Sequence, residues 1–254
     1  MPLPRSRTFA SSVLPLLLPV LLVVVFAMHL RSLPQLLDFR LHYEPSPPDR
    51  VARHLVGHDR GGLLLDPHVI AYLALPLFLA TALALHRRTR RRRPLASRAA
   101  FALTAIGTIY LGGLFGMWTA FYDGMAHMDP GDVDAAARTF AAMSAPRGAF
   151  LLTTTLAKLA FVGLALQGLL QWGADTRSRV AALAFALGCS LFLAFWDLDN
   201  WMLVGSLLML AGLVAGRRDG VMRRTSQCHS APSTCRTIRI ARIAAIQPCR
   251  WKVG

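Results

Sequence analysis

HVIAYLALPLFLATALALHRRTRRRRPLASRAAFALTAIGTIYLGGLFGMWTAF, residues 68–121, decides the fold of this chain. Two apolar runs, at about 68–86 and 99–121, flank a short block in which arginine dominates. A helix needs about 20 apolar residues to cross the hydrocarbon core of a bilayer, and each run meets that length. Working outward, four more charge-poor runs lie at about 12–30, 148–171, 180–196 and 200–216. The last two are short and joined by the turn WDLDNW (196–201); two separate spans account for them better than a re-entrant pair. The expected fold class is therefore all-α, a polytopic transmembrane bundle of six spans. Composition agrees: of 254 residues, 54% are hydrophobic and 16% charged, against about 25% charged in soluble domains.

Charge placement predicts the orientation. With the N-terminus inside, segments 1–11, 87–98, 172–179 and 217–254 hold 20 of the 28 basic residues and only Asp175 and Asp219 among 13 acids. Every loop then obeys the positive-inside rule, which puts both termini and the arginine loops in the cytoplasm of an inner (plasma) membrane. The net charge of +15 is explained by topology anchoring and contact with acidic lipid, and no nucleic-acid partner is expected.

The first run follows Arg5 and Arg7 as a signal peptide would, yet its apolar stretch is longer than a signal core and no A-x-A site follows. An uncleaved first span is expected, with Pro15 and Pro19 bending it. After Gly216 the composition changes: 217–254 is basic, lacks helical or strand period and holds Cys228, Cys235 and Cys249. A disordered cytoplasmic tail is expected there, and the spacing of Cys228, His229 and Cys235 fits no zinc pairing.

The outer loops carry the chemistry. WTAFYDGMAHMDPGDVD (118–134) ends the third run and sets His127 four residues after Asp123, on one face of a helix. The first loop repeats the arrangement: Asp38, His42, Glu44, Pro45, Asp49, Arg53 align without gaps to Asp123, His127, Asp129, Pro130, Asp134, Arg138. The shared pattern is D-x3-H-x-[DE]-P-x3-D-x3-R, whose five identical positions lie within sixteen residues, and each copy follows an outward-going span. A tandem hairpin repeat would put them there. Asp and Arg four apart after the proline suit an interfacial helix with an i,i+4 ion pair.

Side by side, such hairpins would converge Asp38, His42, Asp123 and His127 into a site that His68, Asp197 and Asp199 complete. Imidazoles and carboxylates together suit Zn, Mn, Fe or Cu(II) rather than a thiolate-loving ion. A metal there would activate water for hydrolysis at the lipid headgroups. The plainer account of each residue is a helix cap or a solvated end. His29 and His68 also end adjacent spans, which makes a b-type haem a weaker alternative; no C-x-x-C-H exists for covalent haem.

Two features inside spans complete the set. Gly112 and Gly116 form a small-xxx-small pair on span three that lets another helix approach closely, and helix packing is the default expectation; a membrane-protein partner or second copy docking there would make the chain a non-enzymatic accessory or assembly subunit. Lys158 lies in span four, about 15 Å below its outer end, with no acid in any span; a small transporter would use it to handle a proton or anion. Thr153, Thr154 and Thr155 are expected to wet it. No P-loop, G-x-S-x-G, H-E-x-x-H or Rossmann fingerprint is present.

Overall fold

The computed structural model describes residues 6–30, 37–41, 47–57, 67–145, 147–196 and 198–229, with the side chains of 6–12, 67 and 217–229 left aside. Its elements are α1 (Ser6–His29), α2 (Pro48–Leu55), α3 (Pro67–Leu73), α4 (Leu75–Thr89), α5 (Pro94–Ala126), a 3-10 turn (Pro130–Asp132), α6 (Val133–Ser144), α7 (Gly148–Ala157), α8 (Leu159–Leu169), α9 (Thr176–Ala194) and α10 (Asp199–His229). All are helical, as expected. Among the described residues, five stretches are long and apolar enough to cross a membrane: His68–Thr89, Pro94–Ala126, Gly148–Leu169, Thr176–Ala194 and Asp199–Gly216. The apolar part of α1, Val13–His29, is shorter.

The expected span boundaries shift for local reasons. α5 starts at Pro94, five residues before the expected edge, because proline's preset φ suits a first helical turn. Its start is pinned by Ser97, whose Oγ lies 2.8 Å from His86 Nδ1 and 2.7 Å from Thr89 Oγ1. Gln167 Nε2 donates to the Ser97 carbonyl at 3.3 Å, tying α8 to the same hairpin. The second span breaks at Ala74, where Pro76 supplies no N–H and its ring crowds the carbonyl four residues back. The fourth breaks at Lys158. At the far end, α10 continues as backbone helix to His229, where the structured part was expected to stop at Gly216; residues 230–254 of the tail lie outside the described residues.

In sequence order each long helix lies beside the next, and α10 closes against α1. Short connections make successive helices antiparallel neighbours, so the bundle forms a ring. Its middle is filled by one phenylalanine each from α1, α4, α8 and α9. Phe161 stacks on Phe192 at 4.4 Å, while Phe78 meets Phe161 and Phe26 meets Phe192 edge-on at 5.4 and 5.5 Å. The outward faces are equally apolar, with Ile109 73% exposed and Val180 58%. A helix apolar on all sides needs a core on one side and lipid on the other.

Lipid tails are as apolar as leucine, so packing rather than water exclusion holds such helices together. The close crossings are made by glycine. A Cβ on Gly107 would land on the backbone of Leu159 and Ala160, and one on Gly163 would strike Thr104 and the Ala100 carbonyl. Across the α9–α10 hairpin, Gly188 faces the Gly205 carbonyl, and Gly212 faces the Ala181 carbonyl. The glycines expected to serve a partner behave differently: a Cβ at Gly112 would meet only Leu75 Cδ1 at 3.1 Å, and one at Gly116 only Tyr72 Cε2 at 3.6 Å. Both face the second span of the same chain.

Outside this bundle, α2 and α6 pack on each other and on the end of α5. Ala52, Leu55, Val56, Met125 and Ala136 form a second small core there, flanked by Phe121, Tyr122 and Phe140. Arg53 Nη2 pairs with Asp49 Oδ2 at 3.1 Å, the expected ion pair of α2. Both helices start at the same step of the sequence repeat, one residue before Asp49 and Asp134.

Candidate functional site

Asp123 lies in the last turn of α5, and His127 is the residue that ends the helix. The His127 ring Nδ1 lies 2.8 Å from the Asp123 carbonyl oxygen and 3.8 Å from its carboxylate Oδ1. A carbonyl can only accept, so that nitrogen carries the proton. Both side chains are largely exposed, at 78% and 58%. The D-x3-H spacing here closes a helix end and faces outward.

Asp38, its counterpart in the first loop, is engaged elsewhere. Arg40 Nε donates to Asp38 Oδ2 at 2.8 Å. Asn200 Nδ2 donates to the Asp38 carbonyl at 3.1 Å and Trp201 Nε1 to the Arg40 carbonyl at 2.8 Å. Phe39 meets Trp201 edge-on at 5.1 Å. Residues 37–41 are thus strapped to the start of α10, while Asp123 and His127 belong to the end of α5. His42 and Asp197 lie outside the described residues. Among the described residues, no three His, Cys, Asp or Glu side chains stand close enough together to hold a metal ion.

The strap is open to a direct test. Asn200→Ala combined with Trp201→Phe removes two hydrogen bonds worth about 1 kcal/mol each. Faster protease cleavage within 37–41, with the melting midpoint of the bundle little moved, is expected.

A different cluster does form at this end of the bundle. His29 closes α1 and His68 is the second residue of α3; their rings meet edge-on with centroids 5.5 Å apart. His68 in turn meets Tyr122 of α5 at 5.0 Å. Asp199, the first residue of α10, interacts electrostatically with both histidines. His29 Nδ1 lies 3.0 Å from the Val25 carbonyl; a carbonyl can only accept, so Nδ1 carries a proton. Four helix ends meet here because the ring closes α10 onto α1. The sequence showed His29, His68 and Asp199 as ends of separate runs; that they are neighbours depends on the ring closing.

Lys158 sits at the break between α7 and α8, with Nζ 5.7 Å from the centre of the Trp196 ring. The indole face offers the ammonium a cation–π contact in place of an acid. Thr154, one turn outward, donates its hydroxyl to the Phe150 carbonyl at 2.8 Å, a common way for a threonine in an apolar helix to satisfy itself.

No family model, no curated protein and no solved structure matches this chain.

Proposed function

We propose that this chain is a six-span protein of an inner membrane, with α1 as the sixth span and the arginine block on the cytoplasmic side, whose outer end carries an acid–histidine site for a divalent metal ion. The observation that carries it is the grouping of His29, His68 and Asp199 at one end of the ring. Two imidazoles and a carboxylate are the protein ligand set of catalytic zinc sites that keep a fourth position for water. The Val25 carbonyl on His29 Nδ1 supports it further, since a metal-binding imidazole commonly donates its other N–H to such an acceptor. The three groups come from three separate helix ends, and coordination at one point would draw them together. His42 and Asp197 are the sequence's candidates for further ligands. A bound water made acidic by the ion would cleave an ester at headgroup level. The repeated D-x3-H segments fit a tandem hairpin origin of the first four spans, with Asp123 and His127 serving its surface.

Metal analysis of the purified protein is the test. About one transition-metal ion per chain is expected, lost in His29→Ala and His68→Ala and kept in His127→Ala. Loss in Asp123→Ala or His127→Ala instead would move the site to the repeated segments. A parent protein without stoichiometric metal would remove the metal altogether.

A further inference from the structure

Lys158 interrupts the fourth span, with α7 ending at Ala157 and α8 starting at Leu159. Its level in the bundle follows from the phenylalanine layer. Phe161, three residues on, stacks on Phe192 of α9, and Phe26, three residues before His29, meets the same Phe192. Lys158 and His29 therefore both stand about 4.5 Å beyond that layer, on the histidine side, at 1.5 Å per residue. Trp196, four residues past Phe192, brings its ring to within 5.7 Å of Lys158 Nζ and 6.2 Å of the Phe161 ring. The chain turns back there, and α10 starts at Asp199. α7, by contrast, runs on past Lys158 for 10 residues, or about 15 Å. The ammonium thus lies at the foot of a step in the histidine-side surface, beside the turn that carries the Asp199 carboxylate. Among the described residues it makes no hydrogen bond and no ion pair, and the indole face is its partner. An indole face attracts a cation, but it supplies no oxygen for the three N–H groups of an ammonium.

We propose that Lys158, backed by Trp196, seats the phosphate group of a phosphoester at the histidine end of the bundle. A charge held inside a membrane protein without an acid marks a place where ions or substrates are handled. An ammonium serves phosphate as a point charge with several donors. Trp196 holds the cation where the α9–α10 turn meets the step, and tryptophan concentrates at headgroup level. A lipid headgroup and a soluble ester share this phosphate chemistry. The use of the seat rests on the metal reading above, since it would present the ester to an ion beside Asp199; binding of the phosphate itself needs no ion.

Purified full-length protein in neutral detergent is titrated with inorganic phosphate and with a short-chain phosphatidylglycerol, and tryptophan emission and the melting midpoint are read together. A saturable change is expected with at least one of them. Response to phosphatidylglycerol alone assigns a lipid headgroup; response to both assigns a phosphate that needs no acyl chain. Lys158→Met is expected to weaken binding about tenfold or more, the loss of one hydrogen bond to a charged group. Lys158→Arg keeps the charge and should keep most of the binding. Arg147→Gln removes an exposed cation at the start of α7 and should change nothing. If Lys158→Met does not fold, Lys158→Gln carries the same expectation. No saturable response to either ligand, or equal affinity in the parent and the lysine variant, would overturn the seat. His29→Ala separates this proposal from the metal reading. Phosphate binding that survives there while metal is lost leaves the seat standing without its ion. Binding lost there but kept in Lys158→Met would put the phosphate on the ion alone and overturn the seat.

Discussion

Gly107→Ala is expected to destabilise the bundle by about 3 kcal/mol, the upper end of what overpacking costs. The added methyl would fall on the Ala160 amide and on the carbonyl carbon of Leu159. Both are backbone atoms, so no side-chain rotation relieves the clash, and α5 must lift away from α8. Lifting also opens the neighbouring contact in which Gly163 lies against Thr104 and the Ala100 carbonyl. In a bilayer, lost van der Waals contact is not offset by water exclusion, so the separation goes uncompensated. Gly113→Ala, on the same helix, provides the comparison: its Cβ would meet only Thr153 Cγ2, at 4.0 Å. A lower melting midpoint and poorer yield in mild detergent are expected for Gly107→Ala alone. Matching midpoints for the two variants would mean that α5 and α8 do not cross where described.

Phe192→Ala is expected to cost about 3 kcal/mol or more, in the range for deleting a buried aromatic ring. Phe192 is fully buried, stacks on Phe161 and meets Phe26 edge-on. Its loss opens a cavity where three helices of the ring meet, and the two remaining rings lose contacts worth about 0.5–1.5 kcal/mol per pair beyond area. Phe192→Leu keeps much of the volume and should cost clearly less. Because Phe26 continues from this stack to His29, at 6.2 Å between ring centres, the alanine variant should also loosen the end of α1. If the outer site binds metal as proposed, Phe192→Ala should weaken that binding while leaving all its ligands in place. A midpoint unchanged from the parent would show that the interior is not packed through these rings.

How much was legible beforehand differs between fold and site. The apolar runs were readable because membrane spans are set by local composition, and the arginine block between 87 and 93 by its density of charge. The break at Ala74 was equally local, following from Pro76. The break at Lys158 was not, for neither proline nor glycine stands at it; it coincides with the close approach of Gly107 from another helix. The small-xxx-small pair Gly112 and Gly116 illustrates the limit of spacing rules. They have the right separation, yet the tightest crossings use Gly107, Gly163, Gly188, Gly205 and Gly212, because which face of a helix turns inward depends on all its neighbours. For the candidate site, the spacing of Asp123 and His127 located a side-chain contact, but one that serves its own helix end.

By itself the sequence determined that this chain is helical, apolar on every long segment and strongly basic in a few short ones, because hydropathy and charge act over neighbouring residues and need no partner. Only the tertiary structure decided that α10 closes onto α1, bringing His29 and His68 beside Asp199, residues from three distant parts of the chain. It likewise decided that Arg88, Gln171 and Gly216 share one cleft. Proximity between distant segments is a property of how helices pack, and packing is settled by the fit of whole surfaces that no single stretch contains.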